Sequence, residues 1–448
     1  MASSSKADIS AGRLSSEELA RNFSDLHPPL SEYEAKVAAD RCYFCFDAPC
    51  VEACPTGIDI PGFIQRIRTG NIVGSAQTIL ESNILGGMCA RVCPTETLCE
   101  EVCVRNTSED QPVQIGRLQR FATDPVIDDN VQLFARGNST GKRVAVVGAG
   151  PAGLSCAHRL SMLGHEVVIF ERNAKPGGLN EYGIAAYKAV DNFAAREVEY
   201  VLGIGGIELR LGQSLGENIT LEALRRDFDA VFLGIGLCDV NALGLENETT
   251  DGVVDAVEYI AALRQSSDKS AIEVGRRAVV IGGGMTAIDV AVQSRHLGAD
   301  EVTIVYRRGK AQMNASEWEQ DLAQTRGVKI MHCARPVGLL VDGGCVRGIE
   351  LERTRVGSDG KMEGTGQTLR LAADMVFKAI GQKLVPVEDP SGSPLTREGR
   401  LAVNDALRTN LQNVWAGGDC IQGDKDLTVS AVEDGKRAAH SIHQHLTQ

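Results

Sequence analysis

The sequence has no long apolar run and no excess of positive charge, and we expect no leader at its start. No hydrophobic stretch is long enough to span a bilayer, so we expect no membrane-spanning segment. The first residues lack the apolar core of a signal peptide, which argues against secretion. A formal net charge of −13 argues against nucleic acid as a partner.

Length and composition indicate a multidomain α/β protein. The 448 residues are enough for about three domains. With 43% hydrophobic residues and 48 glycines, the chain is neither disordered nor fibrous. Thirteen cysteines in such a chain indicate a reducing compartment with buried or liganded thiols, so we expect a cytoplasmic protein.

Eight of the cysteines lie between residues 42 and 103. They form two runs, C-x2-C-x4-C-x3-C-P and C-x3-C-P-x4-C-x3-C. Cysteine-rich runs with Cys-Pro are typical of iron–sulfur ligation, because four soft thiolates satisfy the iron corners of one cluster. The sequence therefore predicts two clusters, from the candidates Cys42, Cys45, Cys50, Cys54, Cys89, Cys93, Cys99 and Cys103.

Two alternatives compete with iron–sulfur ligation. Structural zinc favours paired C-x2-C knuckles, and only Cys42 and Cys45 have that spacing. A disulfide framework belongs to small secreted domains, which does not suit this length.

The cysteine-rich part is predicted to be helical from about residue 15 to 135, with the cysteines on loops. Helices are expected near residues 63–69 and 74–85. The polar stretch 124–140 suits a linker.

A dinucleotide-binding unit is predicted from residue 143. VAVVGAGPAGLSCAHRL is an apolar strand, then G-x-G-x-x-G, then a helical pattern, and HEVVIFE is a second strand. Gly148 makes the tight turn, Gly150 admits a pyrophosphate and Gly153 lets helix pack on strand. Glu171 ends the second strand, where it can accept from ribose hydroxyls.

A second copy of this unit follows. AVVIGGGMTAIDVAVQSRHLG places Gly282, Gly284 and Ala287 at the corresponding positions. The next strand, EVTIVY, runs into Arg307 and Arg308. Arginine at this place can accommodate a 2′-phosphate, although the pair can equally be a solvated strand end.

The two copies predict one flavin and one nicotinamide site. NVWAGGDC ends a strand at Gly418-Asp419, and a helix beginning near Thr428 can face a flavin ring. The fold class is α/β, with an all-helical bis-[4Fe-4S] domain before two Rossmann-like domains. We expect a helical iron–sulfur domain (1–136), a first FAD-binding segment (142–262), an inserted NAD(P)-binding domain (263–382) and a second FAD-binding segment (383–448).

Across nearly its whole length the chain resembles the flavoprotein subunits of glutamate synthase and of NAD(P)-dependent dihydropyrimidine dehydrogenase. The motifs, in order, are GAGPAG, GGLNEYGI, GGGMTAID, VYRRGKAQMNA, AIGQ and WAGGDC. The stretches ILGGMCARVCPTETLCEEVC and IGRLQRFATD favour the second enzyme.

The resemblance implies site residues that spacing does not reveal. One [4Fe-4S] cluster would be held by Cys42, Cys45, Cys50 and Cys103, and the other by Cys54, Cys93, Cys99 and Gln119, leaving Cys89 free. Gln119 would otherwise be read as a polar helix-surface residue. FAD contacts are implied at Gly148, Gly150, Pro151, Ala152, Gly153, Glu171, Arg172, Gly178, Leu179, Gly418, Asp419 and Thr428. Nicotinamide contacts are implied at Gly282, Gly284, Met285, Thr286, Ala287, Arg307, Arg308, Ala379 and Gly381.

Three positions depart from the family pattern. Met285 stands where many relatives carry Asn or Asp, Ala185 replaces a common proline, and Asn314 replaces an arginine near the 2′-phosphate. We therefore leave the nicotinamide as NAD(P)H.

The implied function is electron input. Hydride would pass from NAD(P)H to FAD, and electrons would leave singly through two clusters, because a nicotinamide releases two electrons at once. No catalytic acid–base group is expected. No segment resembles an FMN barrel, so uracil or thymine would be reduced reversibly on an FMN/iron–sulfur partner subunit in a hetero-oligomer. A glutamate synthase small subunit is the alternative. A disulfide reductase would need a C-x-x-C pair beside the flavin. The only such pair, Cys42 and Cys45, lies in the predicted helical domain, which argues against this class.

Overall fold

The computed structural model describes residues 8–357, 361–385, 396–423 and 426–448. Residues 1–7 of the expected iron–sulfur domain, 358–360 of the expected NAD(P) domain, and 386–395 and 424–425 of the expected second FAD segment lie outside them. In chain order the strands are β1 (Ile9–Ser10), β2 (Arg143–Val147), β3 (Glu166–Glu171), β4 (Ile207–Leu211), β5 (Ala230–Leu233), β6 (Asp239–Val240), β7 (Val253–Asp255), β8 (Val274–Gly275), β9 (Arg277–Ile281), β10 (Glu301–Tyr306), β11 (Val328–His332), β12 (Ala334–Asp342), β13 (Cys345–Val356), β14 (Met362–Ala372), β15 (Met375–Lys378), β16 (Gln382–Lys383), β17 (Thr396–Arg397), β18 (Arg400–Leu401) and β19 (Val414–Ala416).

The helices of the described residues fall into a cysteine-rich series and a later series between strands. They are α1 (Ser16–Asn22), α2 (Glu32–Asp40), α3 (Pro49–Glu52), α4 (Ile60–Arg68), α5 (Ile72–Ser82), α6 (Gly86–Val92), α7 (Val104–Glu109), α8 (Ile115–Asp128), α9 (Pro151–Met162), α10 (Leu179–Tyr182), α11 (Phe193–Leu202), α12 (Leu221–Asp227), α13 (Ala256–Gln265), α14 (Met285–His296), α15 (Glu317–Thr325) and α16 (Thr428–Thr447). No helix of the described ranges combines the length and apolar character needed to cross a bilayer.

The chain divides into two compact units. Among the described residues, the first unit comprises those of 8–26, Tyr182–Val190 and Asp239–Lys383, and the second comprises those of His27–Glu181, Asp191–Cys238 and Leu384–Gln448. Residues 8–26 were expected in the helical domain but cluster with the first unit. The cause is long-range pairing, because β1 pairs antiparallel with β8 and Phe23 packs in the core of the first unit.

A five-stranded parallel sheet organises the second unit, in the order β19-β5-β2-β3-β4. After their exposed first residues, β2 and β3 are buried throughout, which is why both are nearly continuous apolar runs. Chain order reverses between β2 and β5, and a crevice at such a reversal is where Rossmann-type sheets bind dinucleotides.

The cysteine-rich part of the second unit is a small helical assembly. Asp59 and Asn71 cap the first turns of α4 and α5 through the backbone N–H groups of Gly62 and Gly74. The inner face of α4 is almost fully buried, and it comprises Ile60, Phe63, Ile64 and Ile67. This face gives the cysteine-bearing loops a rigid apolar support.

Helix α8 extends further than the sequence indicates. The polar stretch from residue 124 was expected to be a linker, but residues 124–128 complete α8. Asp124 accepts two hydrogen bonds of 2.9 Å from the Arg91 guanidinium, and Val126 and Ile127 are buried. Tertiary contacts therefore override the polar pattern in this turn.

The first unit contains a second five-stranded parallel sheet, in the order β11-β10-β9-β15-β7. Its chain order reverses between β9 and β15. An antiparallel sheet, β12-β13-β14, belongs to the same unit. The internal repeat predicted from the two glycine motifs is thus present as two parallel sheets in which four strands follow the corresponding order, β5-β2-β3-β4 and β15-β9-β10-β11.

Helix α16 packs on α9 at a glycine. A Cβ added to Gly435 would lie 2.1 Å from the Ala152 carbonyl oxygen, so only glycine permits this approach.

We expect Gly435→Ala to lower the free energy of unfolding by about 1–3 kcal/mol, the range for overpacking. The clash is expected to outweigh the helix propensity of alanine, worth about 1 kcal/mol over glycine. Denaturant unfolding measures this change. The control is Gly338→Ala, whose new Cβ would meet its nearest atoms only at 3.9 and 4.0 Å. Equal stability of the two variants would contradict the packing argument.

Candidate functional site

Four cysteines surround one cavity in the helical part. The thiols of Cys42, Cys45, Cys50 and Cys103 line it, together with Ile60 and Ile64 of α4. The backbone N–H of Phe44 donates to Cys42 Sγ at 3.4 Å. Burial raises the pKa of Cys42, and it raises that of Cys50 to about 12. A bound cation would reverse this preference, because a coordinating thiol is deprotonated.

A second cavity contains the remaining cysteines of the two runs. Cys54, Cys89, Cys93, Cys99 and Gln119 line it, as does Val429 from the first turn of α16. We call these the first and second cysteine cavities. Each collects members of both sequence runs, so the runs interleave in space. Among the described residues, no three His, Cys, Asp or Glu side chains form a group that could hold a single metal ion.

Gln119 is oriented by a backbone carbonyl. Its Nε2 donates to Gly86 O at 2.7 Å, and because a carbonyl oxygen can only accept, the amide nitrogen must face Gly86. The side chain is 7% exposed, so it is not a surface residue of α8. This orientation leaves Oε1 available as a metal-ligating atom at the cavity. Three thiols and this oxygen fit the corners of a cluster.

Glu197, which the sequence did not single out, caps helix α6, which carries Cys89 of the second cysteine cavity. Glu197 Oε1 accepts from Gly87 N at 2.8 Å and Met88 N at 3.0 Å, in the first turn of α6. Arg91 of the same helix lies 3.4 Å from the centroid of the Phe193 ring. Burial raises the pKa of Glu197 to about 8, against the opposing effect of these N–H groups and Arg91.

Glu100 is a second such residue. Its carboxylate accepts from Gly116 N at 2.9 Å in the first turn of α8, and burial raises its pKa. Glu100 lies in a turn and caps α8. Only the fold brings residues 100 and 116 together.

The first glycine loop forms a narrow cradle at the end of β2. Gly148 has φ +99°, and a Cβ there would lie 2.3 Å from Gly234 O, across the reversal of the sheet. A Cβ at Gly150 would meet only Gly178 Cα, at 3.8 Å. The N-terminus of α9 thus lies beside the backbone of Gly150 and Gly178, without side chains between them. This arrangement fits a pyrophosphate, because helix N-termini bind anions.

Glu171 supports this loop directly. It is 4% exposed and accepts from Ala149 N and from Asn173 N and Nδ2, each at 2.8 Å. A carboxylate has about four lone-pair positions, so one remains for a ribose hydroxyl.

The C-terminal segment closes the same site. Gly418 has φ +76° and its N–H donates to Asp434 Oδ2 at 2.9 Å. Thr428 Oγ1 donates to Asn180 Oδ1 at 2.9 Å, beside the Gly178-Leu179 turn. Burial raises the pKa of Asp419 to about 6. These residues, brought together from distant parts of the sequence, fit a flavin nucleotide.

The second glycine loop repeats the geometry in the first unit. A Cβ at Gly282 would lie 2.1 Å from Ala379 O, the equivalent approach across the reversal. A Cβ at Gly284 would meet nothing within 4 Å, so the space before α14 is open. Arg307 and Arg308 are exposed directly after β10, and neither guanidinium forms an ion pair within the described ranges.

Most of the remaining predicted contact residues lie at helix starts or beside strand ends. Pro151, Ala152 and Gly153 begin α9, and Met285, Thr286 and Ala287 begin α14. Arg172 is exposed after β3, Leu179 begins α10, Gly381 precedes β16 and Asn314 is exposed. Ala185, the replaced proline, is fully buried in the first unit.

Comparison with protein families matches both halves of the chain. Residues 19–131 match the family described as dihydropyrimidine dehydrogenase domain II, 4Fe-4S cluster, and residues 142–435 match pyridine nucleotide-disulphide oxidoreductases. The fold and site define an oxidoreductase with a 4Fe-4S domain followed by an FAD/NAD(P)-binding domain. The iron–sulfur interpretation is thereby confirmed over the zinc and disulfide alternatives.

Two curated relatives match almost end to end. The glutamate synthase [NADPH] small chain of Escherichia coli K12 is 35% identical over 445 residues, covering 94% of this chain and 93% of the relative. The NAD-dependent dihydropyrimidine dehydrogenase subunit PreT of the same strain is 35% identical over 427 residues, covering 95% and 98%. The chain therefore belongs to the iron–sulfur flavoprotein family that contains these two subunits.

A solved structure confirms the fold. FprA of Mycobacterium tuberculosis in complex with NADPH superposes with a TM-score of 0.58 at 21% identity, covering 68% of this chain and 85% of FprA.

The buried Glu197 generates a pH prediction. Its folded pKa of about 8 lies above the ordinary value of 4.5, so the native state holds a proton that the unfolded state releases between these pH values. Stability is then lost as pH rises through this window, with a limiting slope of about 1.4 kcal/mol per pH unit. We expect Glu197→Gln to remove this slope in denaturant unfolding at pH 5 to 8. Glu199→Gln, exposed on the same helix, should keep it. Equal slopes in both variants would show that Glu197 is ionised in the native state.

Proposed function

We propose that the chain is the electron-input subunit of a dihydropyrimidine dehydrogenase. It oxidises NAD(P)H at FAD and delivers electrons through two [4Fe-4S] clusters to an FMN- and iron–sulfur-containing partner subunit, which reduces uracil or thymine reversibly. The family, the 35% identity to PreT and the absence of an FMN-barrel pattern in the sequence support this assignment.

One observation carries the proposal: the first turn of α16 belongs to both sites of the second unit. Thr428 bonds to Asn180 at the flavin-type site, and the next residue, Val429, lines the second cysteine cavity. A protein that moves electrons between two centres must hold them close together. A shared first helical turn provides that proximity within one compact unit.

The chain's own residues would orient the flavin. Gly148, Gly150 and the first turn of α9 would bind pyrophosphate, Glu171 a ribose hydroxyl, and Asp419 and Thr428 the opposite side of the nucleotide. FAD supplies two-electron uptake with one-electron release, which a nicotinamide cannot provide. We propose that the first unit binds NAD(P)H at Gly282, Gly284, Met285, Thr286, Ala287, Ala379 and Gly381.

The cysteine cavities support the interleaved ligand sets. We propose Cys42, Cys45, Cys50 and Cys103 for one cluster, and Cys54, Cys93, Cys99 and Gln119 for the other. An amide oxygen in place of a thiolate changes the charge around the second cluster, which is one determinant of reduction potential.

Pairs of serine variants test the interleaving. Cys42→Ser and Cys103→Ser should remove the EPR signal of the same cluster, and Cys54→Ser should remove the other. Each variant should lower iron from about eight to about four atoms per chain, as expected for loss of one of two four-iron clusters. If Cys42→Ser and Cys54→Ser instead removed the same signal, the two sequence runs would each hold their own cluster.

Arg307 and Arg308 are proposed to select the 2′-phosphate. We expect Arg307→Ala/Arg308→Ala to reduce kcat/KM for NADPH at least tenfold, because a hydrogen bond to a charged group contributes about 1.5–3 kcal/mol. The kcat/KM for NADH should change little. The control is Arg355→Ala, an exposed arginine of the same unit that pairs with Glu363 at 2.7 Å. An equal loss of kcat/KM with NADPH and with NADH would contradict the assignment of the two arginines to the 2′-phosphate.

Reconstitution tests the function itself. The chain alone should oxidise NAD(P)H with an artificial acceptor but should not reduce uracil. Uracil reduction should appear only after the FMN-containing subunit is added. Uracil reduction by the chain alone would overturn the two-subunit proposal.

Glutamate synthase is the second candidate, because the small chain of that enzyme is also 35% identical. Mixing with a glutamate synthase large subunit distinguishes the two. NADPH-dependent glutamate formation without any uracil reduction would favour this alternative.

A further inference from the structure

We infer that Lys188 is a positioning residue for the nicotinamide nucleotide, because it holds α14 and α15 in the arrangement that fixes the second glycine loop. The inference rests on the proposed function, since it takes Gly282 and Gly284 as the nucleotide-binding loop of the first unit. Lys188 lies outside both glycine motifs. It belongs to Tyr182–Val190, a short segment of the first unit whose neighbours along the chain belong to the second.

The segment around Lys188 is bonded to α14 at two successive turns. The Lys188 ammonium lies 2.8 Å from Asp289 Oδ1, and the Tyr187 hydroxyl donates to the same oxygen at 3.3 Å. One turn further along, Gln293 Oε1 accepts from Ala186 N at 2.9 Å. Asp289 and Gln293 have i, i+4 spacing, so they share one face of the helix. The segment is therefore fixed along one side of the helix that begins at the glycine loop.

Lys188 also bonds to α15. Its ammonium lies 3.1 Å from Glu319 Oε1, and the three side chains of this cluster are 10% exposed or less. Burial lowers the pKa of Lys188, but Asp289 and Glu319 outweigh burial and hold that pKa above its ordinary value, so the lysine is a cation. Without it, two carboxylates would share a buried site with no counter-ion, which is strongly unfavourable. Lys188 is thus the group that keeps α14 and α15 together at this point.

The start of α15 is bonded in turn to the glycine loop. Glu319 is the third residue of α15, and its Oε2 accepts from Ser316 N at 3.3 Å in a capping box. The preceding residue, Ala315, donates its N–H to Gly283 O at 3.0 Å. The carbonyl of Ala315 accepts from Gln320 Nε2 of α15, also at 3.0 Å. A displacement of α15 would therefore move the loop residue that lies between Gly282 and Gly284.

The consequence is a contribution to nucleotide affinity by a residue that does not touch the nucleotide. A binding loop keeps its geometry only when surrounding side chains hold it. The loop is proposed to bind the pyrophosphate, which NADPH and NADH share. Loss of Lys188 should therefore weaken both nucleotides by the same factor, unlike loss of Arg307 and Arg308.

The experiment compares Lys188→Met and Lys188→Arg with the wild type as anaerobically purified full chains. Isothermal titration calorimetry gives the Kd of NADP+ and of NAD+, and KM and kcat are measured for NADPH and NADH with an artificial acceptor. We expect Lys188→Met to raise Kd and KM about tenfold for each nucleotide that the wild type binds, or about 1.4 kcal/mol. The value of kcat should stay unchanged, because only binding is affected. Lys188→Arg, which keeps the cation, should restore most of the affinity.

Arg277→Met is the matched control for general destabilisation. Arg277 pairs with the buried carboxylate of Asp374 at 2.6 Å in the same unit, but it begins β9, at the end of the strand away from the glycine loop. This variant should lower the midpoint of denaturant unfolding and leave both Kd values unchanged. Losses of affinity equal to those of Lys188→Met would overturn the inference.

Glu319→Asp is a milder variant that keeps the charge of the cluster. Its shorter side chain cannot reach both Lys188 and Ser316 N, so Kd should rise about threefold, in the range of one lost hydrogen bond. If Lys188→Met does not fold, this variant decides the question. Wild-type Kd values in Lys188→Met, or in Glu319→Asp, would contradict the inference. The proposed function fails separately, if the wild-type chain itself binds neither NADP+ nor NAD+.

Discussion

The approach of α16 to α9 is the constraint on which the second unit depends. Gly435 permits that approach, because any Cβ there would meet the Ala152 carbonyl. With α16 so placed, its first turn contacts the flavin-type site through Thr428 and the second cysteine cavity through Val429. Cofactor proximity in this unit is therefore a consequence of helix packing.

Buried and half-buried polar groups fix the helical part against the sheet-bearing part of the same unit. Lys436 of α16 donates to Thr56 O at 3.2 Å and to Ser82 O at 2.9 Å, and it pairs with Glu433 at 2.6 Å. Thr56 follows the cavity cysteine Cys54 by two residues. In addition, Glu197 of α11 caps α6. Two elements that lie beyond the cysteine-rich region thus determine where the second cavity lies.

The two dinucleotide-binding units could be predicted because their signals are local. Gly148 and Gly282 each follow a buried strand and precede a helix, so a few adjacent residues specify the loop. The structure adds the reason that these positions are glycine, which is the carbonyl of residue 234 or 379 across the sheet. Those carbonyls lie 86 and 97 residues further along the chain, so the motif itself does not reveal them.

Other features could not be predicted because they depend on distant partners. The pairing of β1 with β8 places residues 8–26 in the first unit, although the sequence predicts only a helical part from about residue 15. Lys188 lies between the buried carboxylates of Asp289, at 2.8 Å, and Glu319, at 3.1 Å, and no local sequence pattern connects these three charges. Similarly, Gln119 looks like a surface residue until Gly86 is placed beside it. The ligand sets came from the family resemblance, and cysteine spacing alone would have paired the runs differently.

The central claim is that one compact unit couples a flavin to two clusters. The most direct measurement is an anaerobic titration of the isolated chain with NAD(P)H, followed by visible absorption and EPR together. The account predicts that the chain takes up more electrons than its flavin can hold, with cluster signals appearing as the flavin absorption is bleached. Bleaching of the flavin with no cluster signal and no further uptake would contradict it.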